Sequence, residues 1–236
     1  MSDIIVSMAA PKSQRRDLTR GRIVKIAAQL LRDQGPAAVT TRRVAQEAGL
    51  QPPALYRLFQ DKDDLLDAAA EHVFAEHVAG KRLTTPSDDP VEDLRAGWHT
   101  QISFGLANPY VYGLLLDPAR ARDTPAQAKG VRILAERVHR IAAAGRLRVS
   151  EERAVNLIRA AGAGTVHTLL TLPPGHSDPQ LADAAFDAIA RAILVDEPAV
   201  PARDPAAVVA AFRTLLPDLP MLSKAEAALL DEWLRR

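Results

Sequence analysis

Arg42, Arg43, Arg57 and Lys62 crowd into residues 40–62, together with the phenol of Tyr56. Cations at this density suit polyanion chemistry: lysine and arginine neutralise phosphates, and a guanidinium can span two acceptors on a guanine edge. The elements that must position them are legible in the same stretch. Val44, Ala45 and Ala48 fit one face of a short helix. Gly49 supplies the left-handed backbone that ends it, and Leu50 can then turn into the core. Pro52 and Pro53 are tolerated only at a first helical turn, where an amide proton has no partner anyway. A second helix therefore starts there and carries Ala54, Leu55, Tyr56, Arg57 and Leu58, with Leu55 and Phe59 anchoring it from behind. This is the layout of a helix-turn-helix whose second helix enters a DNA major groove. An ordinary helical hairpin would explain the apolar spacing but not the crowded charge.

On Thr40, Val44-Ala45, Ala48-Gly49-Leu50, Leu55-Tyr56, Phe59, Lys62 and Leu65 or Leu66, the chain resembles the tetracycline-repressor (TetR) family of bacterial transcriptional regulators. The upstream helix around Ile23 to Leu31 and Gly35 fits as well, so the resemblance covers roughly residues 18–80. It implies that Thr41 and Arg42 sit where the first short helix meets the duplex. It further implies that Pro53, Ala54 and Arg57 face the groove, with Tyr56 and Lys62 on phosphates. Arg57 is the first candidate for reading a base and Arg42 the second; Arg43 either joins the interface or is simply solvated. Two departures stand out. Leu58 occupies a position where many relatives carry a phosphate-bonding histidine or tyrosine, and the two prolines remove amide donors from the start of the recognition helix.

Charge divides along the chain in the same sense. Residues 1–62 hold 11 Lys+Arg against 5 Asp+Glu, a net of +6, and the remainder holds 19 against 24, a net of −5. A basic block that coincides with a helix-turn-helix reads as a phosphate-seeking footprint. The absence of cysteine excludes disulfides, thiolate chemistry and cysteine-based zinc sites. No apolar run approaches the roughly 20 residues of a spanning helix, and the N-terminus carries Asp3 without a positive leader. A cytoplasmic protein without a membrane partner is expected.

Nearly every segment reads as helix, opened by cap residues: Thr19, Asp61, Ser150, the pairs Asp89-Pro90, Asp178-Pro179 and Asp204-Pro205, and a capping box of Ser223 with Glu226. The stripe Ile23, Ile26, Ala27, Leu30, Leu31 marks one buried face. Helices are expected at 20–34, 41–48, 53–59, 62–82, 90–107, 109–117, 125–144, 151–171, 179–195, 205–216 and 224–235. The fold class is all-α, with an N-terminal three-helix helix-turn-helix domain and a C-terminal helical bundle for ligand binding and dimerisation. The expected division is a disordered basic arm at 1–16, the DNA-binding domain at 17–62 and the bundle at 63–236. Lys12, Arg15 and Arg16 leave open whether the arm is merely solvated or reaches a minor groove.

Four aromatic residues fall between positions 98 and 112: Trp98, Phe104, Tyr110 and Tyr112. With Gln101, Ile102 and Asn108 they combine apolar faces with polar handles at a bend that Asn108-Pro109 enforces, the mixture a small-molecule pocket needs. Composition alone reads this cluster as core. The family resemblance implies an effector cavity in this half of the chain, to which Leu115, Val138 and His167 are added, with His139, Asn156 and Arg159 flanking the same space. A lone histidine such as His167 on an apolar helix is more often a satisfied core residue. His72 and His77 are five apart, which misses the spacing of a shared metal on one helical face. No metal, cofactor or catalytic constellation is expected.

The expectation is thus a dimeric transcriptional repressor on double-stranded palindromic operator DNA, released by a small apolar or amphipathic effector. The resemblance implies a homodimer through helices near 151–171 and 179–195. Gly162 and Gly164 within the first of these leave room for another helix or for a ligand. A regulator of the same fold without an effector, and an all-helical enzyme or carrier, are the alternatives.

Overall fold

The structure, a computed structural model, describes residues 12–81, 87–120, 124–173, 176, 178–195, 209, 212, 216 and 219–234. Among the described residues the chain is all-α. Its helices are α1 Lys12–Gln34, α2 Thr41–Glu47, α3 Pro52–Tyr56, α4 Lys62–Lys81, α5 Pro90–Ala107, α6 Pro109–Leu116, α7 Pro125–Ala143, α8 Glu151–Thr171, α9 Leu181–Ile193 and α10 Lys224–Trp233, with a 3-10 turn at Pro118–Arg120. Among the described residues, extended pairing is limited to an isolated antiparallel bridge between Leu147 and Leu194. The expected helix 205–216 and its Asp204-Pro205 start lie outside the described residues, except at 209, 212 and 216.

Local chemistry sets most helix ends. Asp89 Oδ1 accepts the amide of Val91 at 2.8 Å, and Asp61 Oδ1 accepts that of Asp64 at 2.8 Å. Ser150 Oγ accepts from Arg153 at 3.3 Å, and Ser223 with Glu226 completes a reciprocal capping box. Hydrogen bonds donated by the Ser223 hydroxyl at 2.7 Å and amide at 2.8 Å hold the Glu226 carboxyl below its ordinary range. Asp178-Pro179 forms a turn instead of a first helical turn: Asp178 Oδ1 takes the Gln180 amide and α9 begins at Leu181.

The start of α1 corrects the expected boundary. Thr19 does not cap a helix; its hydroxyl donates to the Arg15 carbonyl at 2.8 Å, the back-bond of a threonine inside a helix. Residues 12–16 of the expected disordered arm are therefore helical, while residues 1–11 lie outside the described residues.

The chain divides into two compact units, the first Met1–Thr85, Thr100–Gly130 and Val166–Pro173, the second Pro86–His99, Val131–Thr165 and Pro174–Arg236. The boundary expected at residue 62 falls inside the first unit. In that unit α1 packs on α2, α4 and α6. Ile23, Ala27, Leu30 and Leu31 of α1 are buried and Ile26 half-buried; α4 buries Leu65, Leu66, Ala69, Val73 and Val78. Each large apolar side chain so buried contributes about 1.5–3 kcal/mol before entropy is counted. In the second unit Val138, Ile141, Phe186 and Ile193 are fully enclosed. Asp93, also buried, lies 2.9 Å from Arg140 and 3.4 Å from Arg137, which ties α7 to the first turn of α5. None of the described helices is long and apolar enough to cross a membrane.

Candidate nucleic-acid interface and effector region

Backbone chemistry shapes the turn between α2 and α3. Thr40 caps α2 by accepting the Arg43 amide, and Gly49 closes it at φ 65°. The Leu50 amide reaches back to the Ala45 carbonyl at 2.9 Å and that of Gly49 to Gln46 at 3.1 Å, the paired bonds of a left-handed glycine cap. Pro52 takes the first position of α3, whose cap residue Gln51 makes no side-chain bond. Val44, Ala45, Ala48, Leu55 and Phe59 are buried, so both short helices keep their apolar side inward; Leu50 and Leu58 are half-buried.

The outward side carries the expected nucleic-acid residues. Arg42, Pro53, Tyr56, Arg57 and Lys62 are exposed, with Thr41 and Ala54 half-buried. Tyr56 is 59% exposed, a large value for an aromatic ring, and its hydroxyl lies 3.4 Å from that of Thr41. Arg43 differs from the other cations because its guanidinium is engaged within the protein, by Glu47 at 3.1 Å and Gln34 at 2.9 Å. That geometry favours a structural role for Arg43 within the protein. Three arginines of α1 also reach it, of which the sequence offered Arg16 alone, as part of a basic arm. Arg22 donates to the Ala48 carbonyl at 2.7 Å, Arg20 lies 4.9 Å from the centroid of the Phe59 ring, and Arg16 donates to the Arg57 carbonyl at 3.2 Å. The recurrence of Arg16 and Arg20 in step with Ile23 and Val24 was the available signal for those two.

The residues of the expected effector region are divided between the units. Gln101, Ile102, Phe104, Asn108, Tyr110, Tyr112, Leu115 and His167 belong to the first, Trp98 and Val138 to the second. In the first unit, His77 of α4 stacks on Phe104 at 4.1 Å between centroids, and Phe74 lies 5.7 Å from the same ring. His77 Nε2 is 3.4 Å from Gln101 Oε1, and Gln101 also hydrogen-bonds Tyr112. Burial pushes the Tyr112 phenol up from its ordinary 10.0, partly opposed by that bond. Asn108 donates its side-chain amide to the Phe104 carbonyl at 3.0 Å. Gly105 is required here, because a Cβ would lie 2.6 Å from Val166. Phe74 and His77 went unassigned, although their three-residue spacing on α4 puts them on one face.

Other members stand apart. Tyr110 is 47% exposed and lays its ring against Gly35, whose φ of 79° and lack of a Cβ admit it. Leu115 is half-buried, and His167 is exposed. His139, Asn156 and Arg159, expected beside an interior space, are likewise exposed, and His139 pairs with Glu151 at 3.1 Å. In the second unit Val138 is fully buried, and Trp98 donates its indole N–H to the Ala182 carbonyl at 2.9 Å with its ring edge-on to Phe186. The Trp98 ring also meets Gly162, where a Cβ would sit 3.5 Å away, an ordinary contact.

One further cluster joins α4 to the segment after α6. Arg120 bonds both Asp63 and Asp67, chiefly Asp63, and these bonds hold its guanidinium still more firmly protonated. Next along α4, Glu71 accepts the Ala126 amide at the start of α7 at 2.8 Å, while its other oxygen is buried without a hydrogen bond.

Comparison with known proteins agrees with this geometry. Residues 23–69 match the bacterial regulatory proteins of the tetR family. The tetracycline repressor protein class C of Escherichia coli is 42% identical over 72 residues, which is 30% of this chain and 32% of the repressor. The chain thus spans about a third of the length of that curated relative. The fold extends further. A TetR family transcription regulator from Marinobacter aquaeolei VT8 superposes with a TM-score of 0.54 at 24% identity, over 77% of this chain and 98% of that one. RolR, solved in complex with resorcinol, gives a TM-score of 0.62 at 19% identity, over 78% of this chain and 92% of that one. The segment that matches the tetR family, residues 23–69, is thus folded as a helix-turn-helix, on an all-α fold shared with solved regulators.

Proposed function

We propose that the protein is a DNA-binding transcriptional repressor, acting in the cytoplasm without enzymatic activity. The observation that carries this reading is the two-sided character of α2 and α3. Leu55 and Phe59 are 1% and 3% exposed, whereas Arg42, Tyr56, Arg57 and Lys62 face solvent. Such a face has cations for phosphates and, in Arg57, a group able to read guanine. One helix-turn-helix binds weakly, and a two-fold dimer places two recognition helices about 34–36 Å apart on a palindrome. Exposed small residues support dimerisation through α8 and α9: Ala160 and Gly164 on the first, Ala184, Ala188 and Ala192 on the second. A Cβ at Gly164 would meet nothing within 4 Å, which leaves that side open to a partner helix.

A small apolar or amphipathic effector completes the reading. It acts through its different affinity for DNA-competent and DNA-incompetent states, with a typical coupling of about 1–3 kcal/mol. The aromatic and amide groups around Phe104, Gln101 and Tyr112 support it, as does the resorcinol held by RolR. A second reading, the same regulator without an effector, is favoured by the indole bond of Trp98 and the mutual ring contacts of Phe74, His77 and Phe104.

Binding of the purified protein to its own upstream promoter DNA, from 50 to 200 mM salt, tests the core of the proposal. Specific retention with a steep salt dependence is expected, with operator preference lost in Arg57→Ala. An empty promoter assay followed by an empty random-operator selection would remove it. A library of small aromatic and amphipathic compounds, screened for release of the bound fragment, then separates the two readings. Trp98→Phe and Tyr112→Phe report whether those residues carry the response.

A further inference from the structure

The first turns of α1 are exposed throughout: every residue from Ser13 to Leu18 faces solvent. A short helical segment without burial gains little from packing, so its attachments matter. Arg16, Arg20 and Val24 recur at four-residue spacing and share one face of the helix. At Val24 that face is core, with 6% exposure. At Arg20 it becomes a guanidinium over the Phe59 ring, and at Arg16 a guanidinium bonded to the carbonyl of Arg57. The stripe that seats α1 in the helix-turn-helix thus turns cationic toward its N-terminus and ends on the residue that closes the recognition helix.

The charge on Arg16 is uncommitted, unlike that of Arg43. Arg43 shares its charge with Glu47, whereas Arg16 is held by a neutral carbonyl and forms no ion pair among the described residues. A guanidinium has five N–H donors, so one bond to a carbonyl leaves most of them available. The recognition helix beside it is short of backbone contacts: Pro52 and Pro53 have no amide donor to offer, and Leu58 is apolar and half-buried.

Building on the DNA-binding reading above, we infer that Arg16, with Arg15 as its neighbour, is a DNA-phosphate site flanking the recognition helix. It supplies, at the C-terminal end of the recognition helix, a backbone contact of the kind that Pro52, Pro53 and Leu58 lack. Because the contact is to phosphate, it strengthens binding to every sequence equally and leaves operator preference to Arg57.

The test compares the full-length protein with Arg16→Gln, Arg16→Lys, Arg15→Ala and Arg57→Ala on the promoter fragment and on a scrambled fragment, across 50–200 mM salt. Losing one phosphate contact per subunit flattens the slope of log affinity against log salt by about 0.9, or about 1.8 for a dimer on its operator. The expected result is that flattening in Arg16→Gln, a smaller one in Arg15→Ala and a retained slope in Arg16→Lys, all with unchanged operator preference. An unaltered slope in Arg16→Gln, beside lost preference in Arg57→Ala, overturns the phosphate site while leaving the DNA-binding reading intact. Equal losses in Arg16→Gln and Arg16→Lys, with a lowered melting temperature in both, would make Arg16 a structural clip only. Failure of the unaltered protein to bind either fragment overturns the DNA-binding reading and the inference with it.

Discussion

The segment from α2 to α3 and the aromatic region of α4, α5 and α6 hold similar residue types to opposite effect. In the first, apolar side chains at Val44, Leu55 and Phe59 are buried while Arg42, Tyr56 and Arg57 project outward. In the second, the polar handles are turned on one another or on the backbone. Gln101 meets both His77 and Tyr112, and Asn108 bonds the Phe104 carbonyl. The same holds for Trp98 in the other unit, whose N–H is taken by Ala182. A nucleic-acid face is recognisable from charge left unspent at a surface. A ligand cavity is not recognisable from aromatic and amide residues alone, because those groups also make a satisfied core.

The contrast breaks most visibly at Trp98. Trp98→Ala removes a buried ring and orphans the Ala182 carbonyl, and is expected to lower unfolding free energy by about 3–5 kcal/mol in denaturant titration. A variant that kept its stability but lost its effector response would instead place Trp98 among ligand contacts. Next in size is Arg57→Ala, expected to cost about 1–3 kcal/mol of operator affinity in fluorescence anisotropy with no change in melting temperature. A matching loss of stability there would erase the distinction between an outward-facing residue and a packed one.

The two glycines of α8 sharpen the comparison on a smaller scale. Gly162→Ala fits beside Trp98 and is expected to stabilise by up to about 0.8–1 kcal/mol through helix propensity. Gly164→Leu meets open space in the single chain, so its expected effect is on self-association in sedimentation velocity rather than on the fold of one subunit. Dimers as tight as the parent's would remove α8 around Gly164 from the interface.

The smallest effect concerns Tyr112. Its folded pKa is raised above 10.0, so the stabilisation from its neutral phenol is complete below pH 10 and is lost as pH rises through the folded value. Tyr112→Phe should therefore flatten the alkaline fall of stability above pH 10, read by thermal melts in a pH series. An identical fall in both proteins would mean that the phenol is solvated.

Legibility followed the range of the interactions involved. Thr40, Gly49 and the Pro52-Pro53 pair act within a few residues, and they start α2 and α3 within a residue of where the periodicity predicts, although α3 ends at Tyr56 with Arg57 as its cap, short of the expected residue 59. Ser223 with Glu226 does the same for α10. The start of α1 was missed because Thr19 is a good cap by type, and only the helix continuing to Lys12 turns its hydroxyl to an i−4 carbonyl. Among candidate site residues, the outward position of Arg57 followed from the buried spacing of Leu55 and Phe59. The engagement of Arg43 by Glu47 and Gln34 did not, since side chains four and nine residues away compete with solvent for it. His77 offered only its three-residue spacing from Phe74, because its other partners, Phe104 and Gln101, lie more than twenty residues along the chain.

By itself, then, the sequence determined the helical class, the helix-turn-helix, its basic face and the caps Asp61, Asp89, Ser150 and Ser223. These depend on backbone propensity, period and local hydrogen bonds, all short-range in the chain. The tertiary structure decided which cations are left uncommitted, which aromatic rings face one another and which glycine admits a neighbour. Those outcomes rest on pairings between distant segments, where burial and hydrogen-bond satisfaction are settled only when the helices meet.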